Sequence, residues 1–445
     1  MPHNHPNERL LTSWKEIAAY LGVDRRTCSR WEQHLGLPVH RIEGSSKSRV
    51  FAYAEELDRW RAMRAKDKTI FAAEFGARSK WRKAYFWLGG LGVFILFFYF
   101  IFNFFLKHSG TSHPADFRIT GSRLVVLNEN GKKLWQFDTG LENLIEEKTY
   151  RQHFQVKRKD EADNYLHPYL MFRDINRDGN VEVLFSTQTQ DEFNEGTLYC
   201  LSQKGQILWK FRAGKTMKYG RQVYTSDYRI QGFSACDINA DGLGEVVVYS
   251  TQRHFFPCQL AVLGAGGELL GEFWNAGHFS DFDCADLNKD GKKEIIAAGM
   301  NNEQEAGCLV VFDCSRVRGG SPQKVDKFFC PNLEPGTEKE YVLFPRTDID
   351  ILESINESME SLDVLKDDRI IVRARVSKIL YDFDYNLVLQ EARNSHNFEN
   401  KYRKAASEGK IKGVLTDDYF AKLGRGLLYW NGKDWVKHPA VSRVF

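Results

Sequence analysis

Three segments of the chain share one nine-residue pattern, D-x-N-x-D-G-x-x-E, and begin at Asp174, Asp237 and Asp286. Each segment offers oxygen atoms from the side chains at positions one, three, five and nine and from the backbone carbonyl at position seven. The glycine at position six permits a sharp turn, and hard, charged oxygen ligands favour Ca²⁺ over transition metals. The pattern therefore predicts three calcium-binding loops. Their expected ligands are Asp174, Asn176, Asp178, Asn180 and Glu182; Asp237, Asn239, Asp241, Leu243 and Glu245; and Asp286, Asn288, Asp290, Lys292 and Glu294.

A metal-free turn is the alternative interpretation of each loop. Asp and Asn side chains accept hydrogen bonds from nearby backbone amides, so such turns also form without calcium. Where calcium binds, we expect a structural role, in which the ion pins a loop between strands. The glutamate at position nine rather than twelve, and the lack of flanking helices, argue against an EF-hand.

A β-rich run follows each loop, and the three loops start 63 and 49 residues apart. A second motif recurs beside them, in which two strand-like segments flank a glycine turn. Its clear copies are RLVVLNENGKKLWQFDTG, TLYCLSQKGQILWKFRAG and QLAVLGAGGELLGEFWNAG, and fainter copies lie at 308–329, 379–392 and 426–438. This repeat predicts an all-β propeller over residues 117–445 with about five to seven blades. Some inserts between the copies, such as 351–365, are expected to be helical.

The acidic loops resemble the FG-GAP/VCBS repeats of integrin-like β-propellers, and the hairpins also resemble quinoprotein-like blades. The resemblance covers residues 117–330 well and residues 331–445 poorly.

Two short helices joined by a tight turn are predicted near the N-terminus. Apolar residues recur with helical period in the first helix, and Ser13 with Glu16 forms a capping box. Asp24 caps the second helix, whose inner side carries Cys28 and Trp31. Its outward face carries Arg26, Ser29, Arg30 and Gln33, flanked by Arg25 and Thr27.

Residues 38–53 predict a β-hairpin wing whose basic tip includes Lys47 and Arg49. The segments EIAAYLGV, RTCSRWE and GLPVHR resemble the MerR-like winged helix-turn-helix of bacterial regulators and excisionases, over residues 10–64. The resemblance implies a small α+β domain that presents Arg25, Arg26, Thr27, Ser29 and Arg30 to the DNA major groove and Lys47 and Arg49 to phosphates. This agrees with the chemistry, because arginine can bind a guanine edge with two hydrogen bonds. A module that docks a protein instead of DNA is the alternative.

Residues 86–106 contain no charged side chain, and 21 such residues in a helix match the thickness of a bilayer core. This segment separates a basic head from a mildly acidic body. Residues 1–85 contain 17 Lys and Arg against 10 Asp and Glu, and residues 107–445 contain 45 Lys and Arg against 49 Asp and Glu. The cations Arg78, Lys80, Arg82 and Lys83 precede the segment, so the positive-inside rule places the N-terminus in the cytoplasm. The sequence thus predicts a single-pass protein of the bacterial inner membrane, with a basic juxtamembrane linker at 65–85 and a polar linker at 107–116.

The eight cysteines are less informative than the acidic residues. Cys28 falls on the inner side of its helix, and seven others follow the membrane segment, where disulfides persist. Their spacings do not suggest zinc binding. Cys308, Cys314 and Cys330 lie closest together in sequence, and a bridge among them is one possibility.

The combination of parts predicts a membrane-tethered transcriptional regulator. The propeller would bind an extracytoplasmic ligand or partner, and the head would bind DNA, with homodimerisation as the simplest means of signalling. The alternative is a membrane-anchored interaction or adhesion protein. No nucleophile elbow, histidine pair for a metal or dinucleotide-binding motif occurs, so an enzyme is not expected.

Overall fold

The computed structural model describes residues 9–41, 50–65, 113–155, 158–159, 165–191 and 196–437. The chain divides into two compact units, residues 1–111 and 112–445, and each is described by itself. The predicted membrane segment 86–106 lies outside the described residues, as do residues 66–85 and 107–112 of its linkers. Within the described ranges, we find no helix that is both long and apolar enough to cross a membrane.

The described part of the N-terminal unit, residues 9–41 and 50–65, contains three helices and a small sheet. The elements are β1 (Leu10–Leu11), α1 (Trp14–Leu21), α2 (Arg25–Leu35), β2 (His40–Arg41), β3 (Val50–Tyr53) and α3 (Ala54–Ala65). The sheet is antiparallel with strand order β1-β3-β2. The helices begin and end where the sequence predicts, because Ser13 accepts a hydrogen bond from the Glu16 amide and Gly22 ends α1 in the left-handed region.

The core of this unit forms between the inner faces of the three helices and the sheet. Cys28 and Leu57 are fully buried, and Trp31 packs against Trp60 with ring centroids 5.6 Å apart. Met63 of α3 does not join this core and is 71% exposed.

The second unit is mostly β and consists of consecutive small antiparallel sheets. The first sheet contains β4 (Asp116–Thr120), β5 (Arg123–Leu127) and β6 (Lys133–Asp138). The second contains β9 (Leu170–Arg173), β10 (Glu182–Ser186), β11 (Thr197–Leu201) and β12 (Ile207–Arg212). The third contains β15 (Tyr228–Cys236), β16 (Glu245–Gln252), β17 (Cys258–Leu263) and β18 (Leu269–Asn275), with β22 (Arg318–Gly320) parallel to β18.

Two further sheets complete the series. The fourth sheet contains β19 (Gly277–Ala285), β20 (Glu294–Asn301), β21 (Ala306–Phe312), β23 (Glu340–Leu343), β28 (Leu428–Trp430) and β29 (Trp435–Val436). The fifth contains β24 (Met359–Leu365), β25 (Arg369–Ala374), β26 (Leu380–Asp384) and β27 (Leu389–Arg393). Two isolated strand pairs are β7 (Arg158–Lys159) with β8 (Tyr165–Leu166) and β13 (Met217–Tyr219) with β14 (Gln222–Tyr224).

Successive sheets stack face to face through shared hydrophobic cores. Because side chains alternate along a strand, each central strand contributes to two cores. In β16, Val248 packs toward the second sheet and Val247 toward the fourth. In β20, Ile295 packs toward the third sheet and Ile296 toward the fifth. Five sheets of the described residues stack in this way, and this organisation resembles that of propeller blades.

Where the structure describes the second unit, four helices accompany the sheets: α4 (Glu147–Gln152), α5 (Asp348–Leu352), α6 (His396–Ser407) and α7 (Asp417–Arg425). The fifth sheet shares its core with α6 and α7 through Phe398, Tyr402 and Phe420. Among the described residues, no core cluster joins the fifth sheet to the first.

Several predictions for the less regular half of the unit are wrong. Residues 351–365 are not helical, since α5 ends at Leu352 and strand β24 begins at Met359. The faint copy at 308–329 is not a hairpin, because β21 is followed by β22, which pairs with the third sheet. The copy at 426–438 forms a hairpin that joins the fourth sheet and makes no blade of its own. All eight cysteines are free thiols, so no disulfide joins Cys308, Cys314 and Cys330.

Candidate functional site

Helix α2 presents the cationic face that the sequence predicts. Arg25, Arg26, Arg30 and Gln33 are exposed, while Ser29 is half-buried. The opposite side is fixed by burial of Cys28 and Trp31, so the orientation of the cationic face is set by the core. Thr27 also takes part in the N-cap of α2, because its amide and hydroxyl both donate to the Asp24 carboxylate at 2.9 Å. The hydrogen bond from the Thr27 amide lowers the pKa of Asp24.

Two side-chain contacts connect strand β2 of the wing to the helices. An ion pair joins Arg41 to the Glu32 carboxylate on α2 at 2.9 Å, and His40 Nε2 lies 2.7 Å from Glu56 Oε2 on α3. Both contacts lie at the base of the wing, and the described ion pairs do not involve the α2 arginines. The predicted phosphate-binding residues Lys47 and Arg49 lie outside the described residues.

The three acidic loops have the same hydrogen-bond pattern. The first aspartate accepts from the glycine amide at position six, the asparagine accepts from the amide at position five, and the second aspartate accepts from the amide at position seven. The glutamate at position nine is buried and accepts from the amide at position two. The glycine has a positive φ in each loop, at 84°, 96° and 89°. Each loop thus connects the first and second strands of the second, third or fourth sheet through one shared geometry.

The first two loops each hold a carboxylate oxygen without a partner. Asp174 Oδ1 and Asp237 Oδ1 are buried and have no hydrogen-bond partner among the described residues. Burial, together with Asp178, raises the pKa of Glu182, and burial with Asp241 raises that of Glu245. A bound cation would pair with the unpartnered buried oxygen and would reduce the repulsion between the neighbouring carboxylates.

The third loop differs from the other two. Both oxygens of Asp286 accept backbone hydrogen bonds, from the amides of Asp290 and Gly291. Lys339 Nζ lies 2.6 Å from Glu294 Oε1 and already supplies a positive charge there. In the described part of the chain, no three His, Cys, Asp or Glu side chains stand together as a preassembled metal site. The residues of the first two loops fit calcium better than those of the third.

A buried pair that the sequence does not reveal connects the segment before the second sheet with the fourth and fifth sheets. His167 Nε2 lies 2.7 Å from Asp281 Oδ1, and both side chains are almost completely buried. The second oxygen of Asp281 accepts from the Leu362 amide in the fifth sheet. His167 precedes the second sheet and Asp281 lies in the fourth, 114 residues away in sequence. Neither residue belongs to a repeated motif, so no local pattern indicated the contact.

The known structures to which this chain is similar are distant from it in sequence. No protein-family model matches the sequence, and no curated protein matches it. Among solved structures, a protein of unknown function from Bacteroides caccae is 12% identical, with 68% of this chain and 77% of that chain covered and a TM-score of 0.27. The Dos1 propeller is 10% identical, with 62% and 65% covered and a TM-score of 0.31. BBS1N in complex with ARL6DN is 9% identical, with 64% and 68% covered and a TM-score of 0.31. The fold is defined by the sheets of the chain and by the hydrophobic cores between them.

Proposed function

We propose that the protein is a membrane-tethered, DNA-binding transcriptional regulator whose propeller-like unit binds a ligand or partner outside the cytoplasm. The observation that carries the proposal is the exposed face of α2, where Arg26 and Arg30 lie one helical turn apart on an element whose other side is buried. A short helix held rigidly by its inner face, with arginines on the outer one, is suited to the major groove.

The resemblance of residues 10–64 to a winged helix-turn-helix supports DNA as the partner. The α2 arginines would contact base edges, and Lys47 and Arg49 of the wing would neutralise phosphates. One such head has few contacts, and two heads on a two-fold operator bind far better than one. We therefore include homodimerisation in the proposal as the means by which the ligand controls DNA binding.

The membrane anchor is proposed from the sequence alone. The uncharged stretch 86–106 would span the bilayer, and the four cations before it would keep the head in the cytoplasm. The mildly acidic unit at 112–445 would then lie outside the cytoplasm, where millimolar calcium is compatible with weak extracellular-type sites.

Calcium is proposed as a structural ion of the acidic loops. In the first loop Asp174, Asn176, Asp178 and Glu182 would supply side-chain oxygens, and Asn180 its carbonyl. In the second loop the corresponding residues are Asp237, Asn239, Asp241, Glu245 and Leu243. The ion would satisfy the unpartnered oxygen of Asp174 or Asp237 and hold each loop between two strands.

DNA binding by the full-length protein in detergent, measured on a pool of random duplexes and then on the enriched sequence, tests the central proposal. Arg26→Ala or Arg30→Ala should cost about 1–3 kcal/mol on that sequence and relax its preference, because a base contact is lost. Arg59→Ala is the matched control, since Arg59 is an exposed cation of the same unit on α3.

The result that would overturn the proposal is equally specific. If no duplex is enriched at low salt and the two α2 variants behave as the Arg59 variant does, the head is not a DNA reader. The interaction-protein interpretation then takes its place.

A further inference from the structure

A cleft of about 1000 Å³ opens at one end of the third sheet. Its walls come from strand β14, from the turn at Arg253–Phe255 that follows β16, and from the turn at Asp326–Phe328. Strand β16 runs from the second acidic loop at Glu245 to the cleft at Gln252, so the two sites lie at opposite ends of the strand, about 23 Å apart. The cleft is therefore separate from the proposed calcium sites.

Aromatic side chains form the floor of the cleft. Phe256 packs against Tyr219 and Tyr224, with both pairs of ring centroids 5.0 Å apart. Val223 also lines the cleft, and its apolar side chain is 53% exposed.

The charge of the cleft is positive, although the unit around it is mildly acidic. Arg221, Arg253 and Lys327 line the cleft, against the single carboxylate of Asp326. Arg253 lies 3.6 Å from the carboxylate of Asp227 at the adjoining edge, while Arg221 and Lys327 are exposed. Two exposed cations above an aromatic floor favour an occupant that carries both carboxylates and apolar groups.

The backbone of the cleft favours an extended peptide over other occupants of that chemistry. Strand β14 belongs to a two-stranded sheet, and within the described residues its second edge pairs with no strand. A free edge is a template for a further strand, in which alternate side chains point to opposite sides. An incoming strand could therefore place apolar side chains on the aromatic floor and carboxylates toward the solvent-facing cations.

We propose that this cleft binds an extended acidic peptide with alternating apolar side chains, by adding it as a strand to β14. The inference rests on the proposed role of the propeller-like unit as the ligand-binding part of the protein, and it names the class of ligand. An acidic oligosaccharide shares the carboxylates but not the backbone hydrogen bonds, so the two occupants are separable by experiment.

Fluorescence anisotropy on the full-length protein in detergent tests the proposal, with a fluorescein-labelled octapeptide of alternating glutamate and valine as the probe. Replacing its glutamates by glutamine should weaken binding by about tenfold or more, because charge-assisted contacts are lost. Of two versions N-methylated at odd or at even positions, the one methylated on the edge facing β14 should lose binding. Tetragalacturonate should fail to compete.

Charge reversals locate the site. Arg221→Glu and Lys327→Glu should each weaken binding of the glutamate peptide by about tenfold, since both residues line the cleft. Lys210→Glu is the matched control, because Lys210 is an exposed cation on β12 outside the cleft. Equal affinity of the glutamate and glutamine peptides, equal effects of cleft and control variants, or competition by tetragalacturonate would overturn the proposal.

DNA binding measured on the same preparation separates this inference from the proposed function. Retained DNA binding without peptide binding refutes the peptide site alone. Peptide binding in a protein that binds no DNA supports the site and refutes the regulator.

Discussion

Asp174 and Asp237 differ from Asp286 in the surroundings of one oxygen atom, and that difference predicts which loops bind calcium. Their Oδ1 atoms are buried without a partner, whereas both oxygens of Asp286 are hydrogen-bonded. Calcium at about ten times its dissociation constant should stabilise the fragment 112–445 by about 1.4 kcal/mol per occupied site. Asp174→Asn and Asp237→Asn should each reduce the rise in melting temperature between chelator and millimolar calcium.

Asp286→Asn provides the matched comparison for this prediction. It should change the calcium response least, because Lys339 already neutralises Glu294 in the third loop. If calcium does not change the melting temperature, none of the three loops binds calcium. An equal loss in all three variants would show that the unpartnered oxygens do not select the sites.

The side chain of His278 should make the stability of the second unit depend on pH. Burial, with a smaller contribution from Arg375, lowers the pKa of His278 to about 4. Between that value and the unfolded value near 6.5, the unfolded chain binds more protons than the folded one. The free energy of unfolding should therefore be highest above this range and fall by about 3 kcal/mol as the pH drops through it. Denaturant titrations of the fragment 112–445 should show this slope, and His278→Gln should flatten it; an unchanged slope in that variant would refute the assignment.

At the scale of elements, tryptophans connect each early sheet to the next. Trp135 on β6 donates to the Gln203 carbonyl in the hairpin turn of the second sheet, at 2.7 Å. Trp209 on β12 donates to the Ala265 carbonyl in the turn of the third sheet, at 2.9 Å. A glycine in each receiving turn allows this approach, because a Cβ on Gly205 or Gly267 would lie within 2.6 Å of the indole. The glycine and the tryptophan recur in the hairpin motif because the tryptophan of one sheet packs on the turn glycine of the next sheet.

Gly205→Ala and Gly267→Ala should therefore cost more stability than Gly131→Ala. All three glycines have positive φ, so alanine is strained by about 1 kcal/mol at each. Gly131 occupies the equivalent turn of the first sheet, where a Cβ would have no neighbour within 4 Å. Denaturant unfolding should give Gly205→Ala and Gly267→Ala an additional loss of about 1–3 kcal/mol from overpacking against the tryptophan. Equal losses for all three variants would contradict this role of the tryptophans.

How much of the fold the sequence predicts depends on whether an element repeats. The three acidic loops and the hairpins of the first three sheets were predictable, since each has a turn whose glycine and Asx chemistry is local. Strand β24 was not predictable, because the apolar residues at 349–364 fit the period of a helix as well as that of a strand. Burial of β24 against the fourth sheet favours the strand. The His167–Asp281 pair and the cleft at β14 depend on residues far apart in sequence, so only the folded chain brings them together.

For the whole molecule, stacking of sheets explains why the repeat tolerates long inserts. The second, third and fourth sheets each share a core with two neighbours through alternate side chains of one central strand, as in β16 and β20. Connections that leave the ends of the sheets do not disturb these cores, and loops held on a rigid scaffold are the usual place for binding sites. The cleft at β14 lies among such connections.

The orientation of the chain in the membrane is the prediction on which the regulator depends. The four cations before Phe86 outweigh Lys107 on the other side, so the N-terminus should remain in the cytoplasm. Alkaline phosphatase, which is active only outside the cytoplasm, should be active when fused after Pro114 and inactive when fused at Lys68. Replacing Arg78, Lys80, Arg82 and Lys83 by glutamine should weaken this difference, because the charge bias sets the orientation. The reverse pattern in the unmodified protein would place the α2 arginines on the side of the membrane without DNA, and the regulator proposal would then be untenable.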